Sequence, residues 1–288
     1  MFIGSFVALV TPIKDDLSVD YETLEKLVSW HIDSGTDGLV ILGTTGEYFS
    51  LSSNERWDIV HAVTEQVDGR IPVIVNTGVA STQFSCENTR VAKELGADGA
   101  LVVTPYYVKP SQEGLIKHYR AISEVGLPLI VYHNPGRAGC EISLETLREI
   151  DQFESVVAIK EASGCLEYGQ RAIAQCKAVL HSGDDGATMS LLEQGAQGSI
   201  SVIGNLIPRL WGEMVRSKDR AIFERVYPLI EALSLSTNPQ GIKYAMSQLR
   251  LCRSRLRLPL MEPDRRACEA IMSAMDKTLP EYSSTHQL

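Results

Sequence analysis

Short runs of Val, Ile and Leu recur along the chain: SFVALV (5–10), GLVILG (38–43), PVIVNT (72–77), GALVVT (99–104), PLIVYH (128–133), SVVAIK (155–160), AVLHSG (178–183) and GSISVI (198–203). Continuous apolar runs of this length fit strands of a parallel sheet covered on both faces, although a buried helix segment has the same signature. The segments between them carry helical spacing. In DYETLEKLVSWHIDSG (20–35), Leu24, Leu27, Val28 and His31 fall at i, i+3, i+4 and i+7, with acids at the start and Gly35 at the end. Three joints echo one another: SGTDGLVILG, LGADGALVVT and QGAQGSISVI each place a helix-ending Gly (35, 96, 195), two spacers, a second Gly and a strand. Glycine suits the first position, where the chain takes a positive φ to turn back into the sheet.

Eight strands alternating with helices predict an α/β fold, a (β/α)8 TIM barrel. An open doubly wound sheet is the runner-up, but no G-x-G-x-x-G follows the first run. Residues 1–205 hold the barrel strands and helices. Residues 206–288 lack further strand-like runs and read as the final barrel helix plus a C-terminal helical extension, packed on the barrel or on a neighbouring subunit.

Composition narrows the function. In 288 residues, 44% are hydrophobic and 22% charged, the proportions of a globular chain with a sizeable core. A net charge of −9 argues against nucleic acid or an anionic membrane as partner. No apolar stretch has the length of a membrane span, and the opening MFIGSFVALVTP reads as a first strand rather than a signal peptide. The six cysteines form no C-x-x-C and no zinc-like spacing with the histidines, so they read as reduced thiols in a cytoplasm.

In such barrels, chemistry sits where strands end. The strand ends here are rich in hydroxyls, with one lysine, Lys160, and no cluster of His and carboxylates suited to a metal. A strand-end lysine can snorkel outward or pair with a carboxylate such as Glu161. In a dry barrel mouth, desolvation instead disfavours the ammonium and frees the amine to attack a ketone. Tyr132 ends the preceding strand and can relay protons at the same cavity, supported by Thr44, Thr45 and Tyr107. Arg137, in NPGRAG, can clamp a substrate carboxylate or stand solvated in its loop. Taken as a set, these residues imply a carboxylated keto substrate held over a lysine.

GTTGE (43–47), VTPYYVKPSQEGL (103–115), YHNPGRAG (132–139), IKEASG (159–164) and SGDD (182–185) together resemble the class I, Schiff-base-forming, pyruvate-dependent aldolases, and among them the dihydrodipicolinate synthase family. The likeness runs from residue 1 to beyond 260. It implies Lys160 as the Schiff-base residue and Tyr132 as proton donor and acceptor, with Thr44 and Tyr107 completing a relay. It implies Thr45 at the pyruvate carboxylate, Gly183 and Ile200 lining the pocket, and Arg137 at the carboxylate end of L-aspartate 4-semialdehyde, the second substrate. It further implies no metal or organic cofactor, and a homotetramer in which Tyr107 reaches the neighbouring subunit's site.

The sequence departs from that pattern in two places. Where the family commonly has Asn then Val after the tyrosine, His133 and Asn134 stand here. Lysine-inhibited relatives carry small residues at the positions of Tyr48 and Phe49, histidines at Ser53 and Arg56, an amide at Ala80 and an acid at Phe84. The bulky or apolar replacements would leave lysine's ammonium groups desolvated and unpaired, so weak or no lysine inhibition is expected. Because lysine and scaffold do not fix the aldehyde, N-acetylneuraminate lyase or a 2-keto-3-deoxy sugar acid aldolase stays open as an alternative. A non-catalytic scaffold barrel is the rival from outside enzymology.

Overall fold

Each of the eight apolar runs becomes a strand in the computed structural model, which describes residues 2–279. The strands are β1 (Gly4–Ala8), β2 (Gly38–Ile41), β3 (Val73–Asn76), β4 (Gly99–Val103), β5 (Leu129–His133), β6 (Val156–Glu161), β7 (Val179–Ser182) and β8 (Gly198–Ser201). They pair in parallel in chain order, and β8 closes on β1. Helices α1 (Tyr21–Asp33), α2 (Ser53–Val67), α3 (Thr82–Glu94) and α4 (Gln112–Ser123) follow the first four strands. A short turn, α5 (Pro135–Ala138), precedes α6 (Leu144–Ile150), and α7 (Leu166–Gln175) and α8 (Thr188–Glu193) complete the next units.

The spacing read in 20–35 works as a buried stripe. The Asp20 side chain caps α1 by accepting from the Thr23 N–H, and Leu24, Leu27, Val28 and His31 are all buried. The three echoed joints also share one geometry: Gly35, Gly96 and Gly195 take φ of 75°, 84° and 111°. The second glycine of each joint has a different cause. A Cβ on Gly38 would overlap the Phe6 ring, one on Gly99 would meet Ile74 and Phe2, and one on Gly198 would meet the Gly4 carbonyl and His181. These glycines make room for an aromatic floor, where Phe6 packs edge-on to Phe2 and to His181.

Two apolar layers result. Inward-facing residues, among them Phe6, Val40, Ile74, Leu101, Ile130, Ala158 and Ile200, fill the barrel, while the outward faces pack on the helices. The barrel is therefore plugged below and open only towards the ends of its strands.

Helix α9 (Pro208–Ser217) lies against β1 and β8, with the Trp211 indole N–H donating to Ser199 Oγ at 3.0 Å. Helices α10 (Arg220–Leu233), α11 (Gln240–Gln248) and α12 (Arg265–Thr278) pack on one another beyond it. The extension is bolted to the barrel mouth by a fully buried ion pair: Lys243 of α11 meets Glu47 and also donates to the Thr11 carbonyl at 3.0 Å. The second Glu47 oxygen accepts the Arg257 N–H at 3.1 Å. A pair this dry persists only with such additional bonds, and removing one partner would strand a buried charge. No helix among the described residues is long and apolar enough to cross a membrane, and all six cysteines are free thiols.

Three of the four buried histidines among the described residues have neutral partners: His31 bonds to Thr36, His118 to Thr82, and His181 to the Phe2 carbonyl. Burial disfavours their charged form and holds them at about 3, 4 and 4, below the ordinary 6.5. As pH falls through 6.5, the unfolded chain takes up protons that the fold excludes, so stability declines until the folded-state values are reached. Each histidine steepens that decline by up to about 1.4 kcal/mol per pH unit. Melting temperature is expected to drop from pH 6.5 to 4.5, with a shallower slope for His118→Gln. An equal slope for that variant would refute the assignment.

Candidate active site

Parallel pairing of β5 with β6 sets Tyr132 opposite Lys160, and pairing of β6 with β7 sets Lys160 opposite His181. Side chains alternate along a strand, so residues paired in this way share the inner face. Lys160 is 7% exposed despite its charge-bearing head, and its Nζ lies 4.4 Å from the centre of the Tyr132 ring. Its aliphatic stem runs past Gly183, where a Cβ would approach the lysine Cγ and Cε at 2.8 Å. The absence of a side chain at 183 is thus what lets the amine reach the mouth.

Above it opens a cavity of about 660 Å³. Thr44, Thr45, Tyr132, Arg137, Lys160 and Gly183 all line it. Six of the eight residues singled out in the sequence therefore converge. Ile200 does not border the cavity; it is buried in the inner layer with Tyr132 and Ala8. Tyr107 stands apart, 89% exposed at a positive φ of 72°, its N–H donating to the Ala138 carbonyl at 3.1 Å. Within one chain it does not reach the cavity.

The remaining wall comes from residues to which the sequence assigned no role. The segment 234–238, between α10 and α11, closes one side, and Asn238 donates from Nδ2 to Thr45 Oγ1 at 2.9 Å. Asp185 accepts from the backbone N–H groups of Val202 and Ile203, tying the loop after β7 to the loop after β8. Burial raises its carboxyl against those bonds, which favour the charged form. Asn134 bonds to the Tyr132 oxygen at 3.1 Å. The polar run SLSTNP (234–239) was the signal for the first of these walls, but nothing local in it says that it folds back over a strand end 193 positions away.

One pair faces the opposite way. His133 and Glu161, the next residues along β5 and β6, point outward and bond at 2.8 Å in a buried layer, with the His133 ring stacked obliquely on Tyr168. The other Glu161 oxygen accepts the Ser163 N–H. This pair braces the strand ends from behind. Among the described residues no three His, Cys, Asp or Glu side chains gather as a metal-ion site.

The arrangement is that of an amine beside a phenol, with a threonine pair and a guanidinium on the same wall: a nucleophile for a ketone, a group able to move protons, and anchors for carboxylates. Comparison with known proteins gives the family. A model of the dihydrodipicolinate synthetase family matches residues 1–278. A 4-hydroxy-tetrahydrodipicolinate synthase of Ectopseudomonas mendocina is 41% identical, over 96% of this chain and 98% of that one. Another from Citrifermentans bemidjiense is 42% identical, over 98% and 99%. Among solved structures, a chloride-inhibited dihydrodipicolinate synthase of Acinetobacter baumannii in complex with pyruvate superposes with a TM-score of 0.93 at 38% identity, covering 96% of this chain and 99% of that one.

The close approach at Gly183 generates a test. Gly183→Ala should displace the Lys160 stem and reduce kcat by about a hundredfold, as small misplacements of a reacting group do. Its melting temperature should stay near that of the wild type. Activity within twofold of wild type would show that the lysine has room to spare.

Proposed function

This chain belongs to the dihydrodipicolinate synthetase family, and we propose that it condenses pyruvate with L-aspartate 4-semialdehyde to form 4-hydroxy-tetrahydrodipicolinate, in the route to diaminopimelate and lysine. The observation that carries this reading is the buried Lys160 amine set 4.4 Å from the Tyr132 ring in the barrel mouth, with Thr45 and Arg137 on the cavity wall.

The chemistry follows from those groups. The free amine of Lys160 attacks the ketone carbon of pyruvate, and the carbinolamine loses water to give an iminium. Thr45 holds the pyruvate carboxylate. The iminium is an electron sink, so a methyl proton passes to the Tyr132 oxygen, left as phenolate when its phenol protonated the departing water, and an enamine forms. Its terminal carbon attacks the aldehyde carbon, regenerating the iminium, while the Tyr132 phenol gives a proton to the aldehyde oxygen. Arg137 receives the carboxylate of the aldehyde substrate. The substrate's amine then adds to the iminium carbon and expels Lys160 as free amine, closing the ring. Thr44 and Tyr107 complete the proton relay. Because Tyr107 does not reach the cavity of its own chain, the relay calls for a second copy, and we place the reaction in a homotetramer whose smallest complete unit is a dimer. A biosynthetic enzyme of this kind belongs in the cytoplasm.

We also propose that lysine inhibits this enzyme weakly or not at all. Phe49 and Phe84 are exposed, and the Arg56 guanidinium lies 4.6 Å over the Tyr48 ring and bonds to Ser53 at 3.1 Å. An ammonium entering that surface would meet a cation and bare aromatic carbon in place of acceptors.

Two measurements test these readings. Borohydride reduction in the presence of pyruvate should attach a pyruvate-derived group to Lys160, seen by peptide mass spectrometry, and none should form without pyruvate. A pyruvate-independent result, or modification elsewhere, would overturn the Schiff-base reading. In steady-state assays, lysine in the low-millimolar range should leave the rate nearly unchanged, and half-inhibition below a millimolar would refute the insensitivity.

A further inference from the structure

Asn134 occupies the junction between β5 and α5 and bonds to the Tyr132 phenol on one side and to the Arg137 backbone on the other. Its Oδ1 accepts the Arg137 N–H at 3.1 Å, capping the turn that carries the guanidinium, and its Nδ2 bonds to the Tyr132 oxygen at 3.1 Å. The orientation of this amide is fixed by chemistry. The Arg137 N–H, which donates to the Asn134 carbonyl at 3.1 Å as well, would repel an NH2 group at the side-chain position, so the amide oxygen faces it and the amide nitrogen meets the phenol. Asn134 is therefore a donor to Tyr132, and the phenol oxygen is an acceptor there. With that side of the oxygen occupied by a donor, the phenol's own hydrogen has to point elsewhere.

The structure assigns Asn134 as a positioning residue for proton transfer, one that holds the Tyr132 oxygen as an acceptor while capping the Arg137 turn. The assignment rests on the Schiff-base reading above. Its consequence is directional. When Tyr132 surrenders its proton, the phenolate keeps a donor already in place, and a hydrogen bond to a charged oxygen is stronger than one to a neutral oxygen. The bond thus strengthens at the moment charge develops, which is the requirement for accelerating a step rather than tightening ground-state binding. The same amide sets the spacing between the phenol and the guanidinium, so the group that moves the proton and the group that anchors the aldehyde are placed by one side chain.

Two variants separate the halves of this role. Asn134→Ser keeps an oxygen that can accept from the Arg137 N–H, but it is too short to reach the phenol. Asn134→Val loses both bonds. The direct readout is exchange of pyruvate methyl hydrogens for deuterium in heavy water, followed by NMR without aldehyde, which reports iminium formation and proton transfer and does not involve Arg137. Both variants should slow exchange and kcat by about tenfold or more, the worth of a hydrogen bond to a charged group. Only Asn134→Val should also raise KM for the aldehyde, because only it uncaps the Arg137 turn. Exchange by Asn134→Ser within twofold of wild type would overturn the assignment, as would an equal rise in aldehyde KM in both variants. Borohydride trapping of pyruvate on the wild-type protein runs alongside: a failure there overturns the Schiff-base reading itself, whereas trapping with unimpaired Asn134→Ser exchange overturns only the role of Asn134.

Discussion

Parallel pairing of β5 with β6 places Tyr132 beside Lys160 and, one step further, His133 beside Glu161. Because alternate residues of a strand face opposite ways, a slip of one residue would send the amine and phenol into the helix layer and the imidazole and carboxylate into the cavity. The register is held from both sides. Inside, Ile130 and Ala158 sit in the inner apolar layer below Lys160 and Tyr132. Outside, the His133–Glu161 bond locks the strand ends in their buried layer. The position of the Lys160 amine is thus a by-product of sheet packing, which explains how a lysine can end an apolar strand without turning outward.

Much of this was legible in the chain itself. The eight apolar runs, the stripe in 20–35 and the glycine joints all encode local geometry, and local geometry is what a single sequence displays. The convergence of the cavity lining was legible because strand ends in such a barrel face one mouth, so residues such as Thr45, Tyr132, Lys160 and Gly183 needed only the fold to bring them together. Tyr107 shows where that logic stops. It sits at a strand end like the others, yet its loop takes a left-handed turn and presents the ring outward. Asn238 shows the complementary gap, since its partner Thr45 is 193 positions away and nothing in the spacing of either segment announces the contact. Asn134 lay in plain view as a departure from the family pattern, but only the paired distances to Tyr132 and to the Arg137 N–H reveal what it touches.

The C-terminal helices are more than a cover. Lys243 reaches from α11 to Glu47 at the end of GTTGE, whose φ of 54° is a conformation that a non-glycine residue adopts only when its surroundings hold it there. The buried ion pair and the bond from Asn238 to Thr45 pin the threonine loop from the extension side. The two halves of the chain therefore meet in the pocket wall, and the barrel alone would leave that loop without its clamp.

The aromatic plug at the barrel's lower end makes the interior a blind alley. Phe2, Phe6 and His181 stop it, and the three close-packed glycines leave no slack around them. Reactants, the water expelled on forming the imine, and the finished ring must all pass through one doorway. Under the proposed chemistry that imposes a queue: the smaller keto acid goes to the bottom and bonds first, and the bulkier aldehyde takes its turn on top of it. The plug thus dictates the sequence of arrivals from the end of the barrel that no reactant touches.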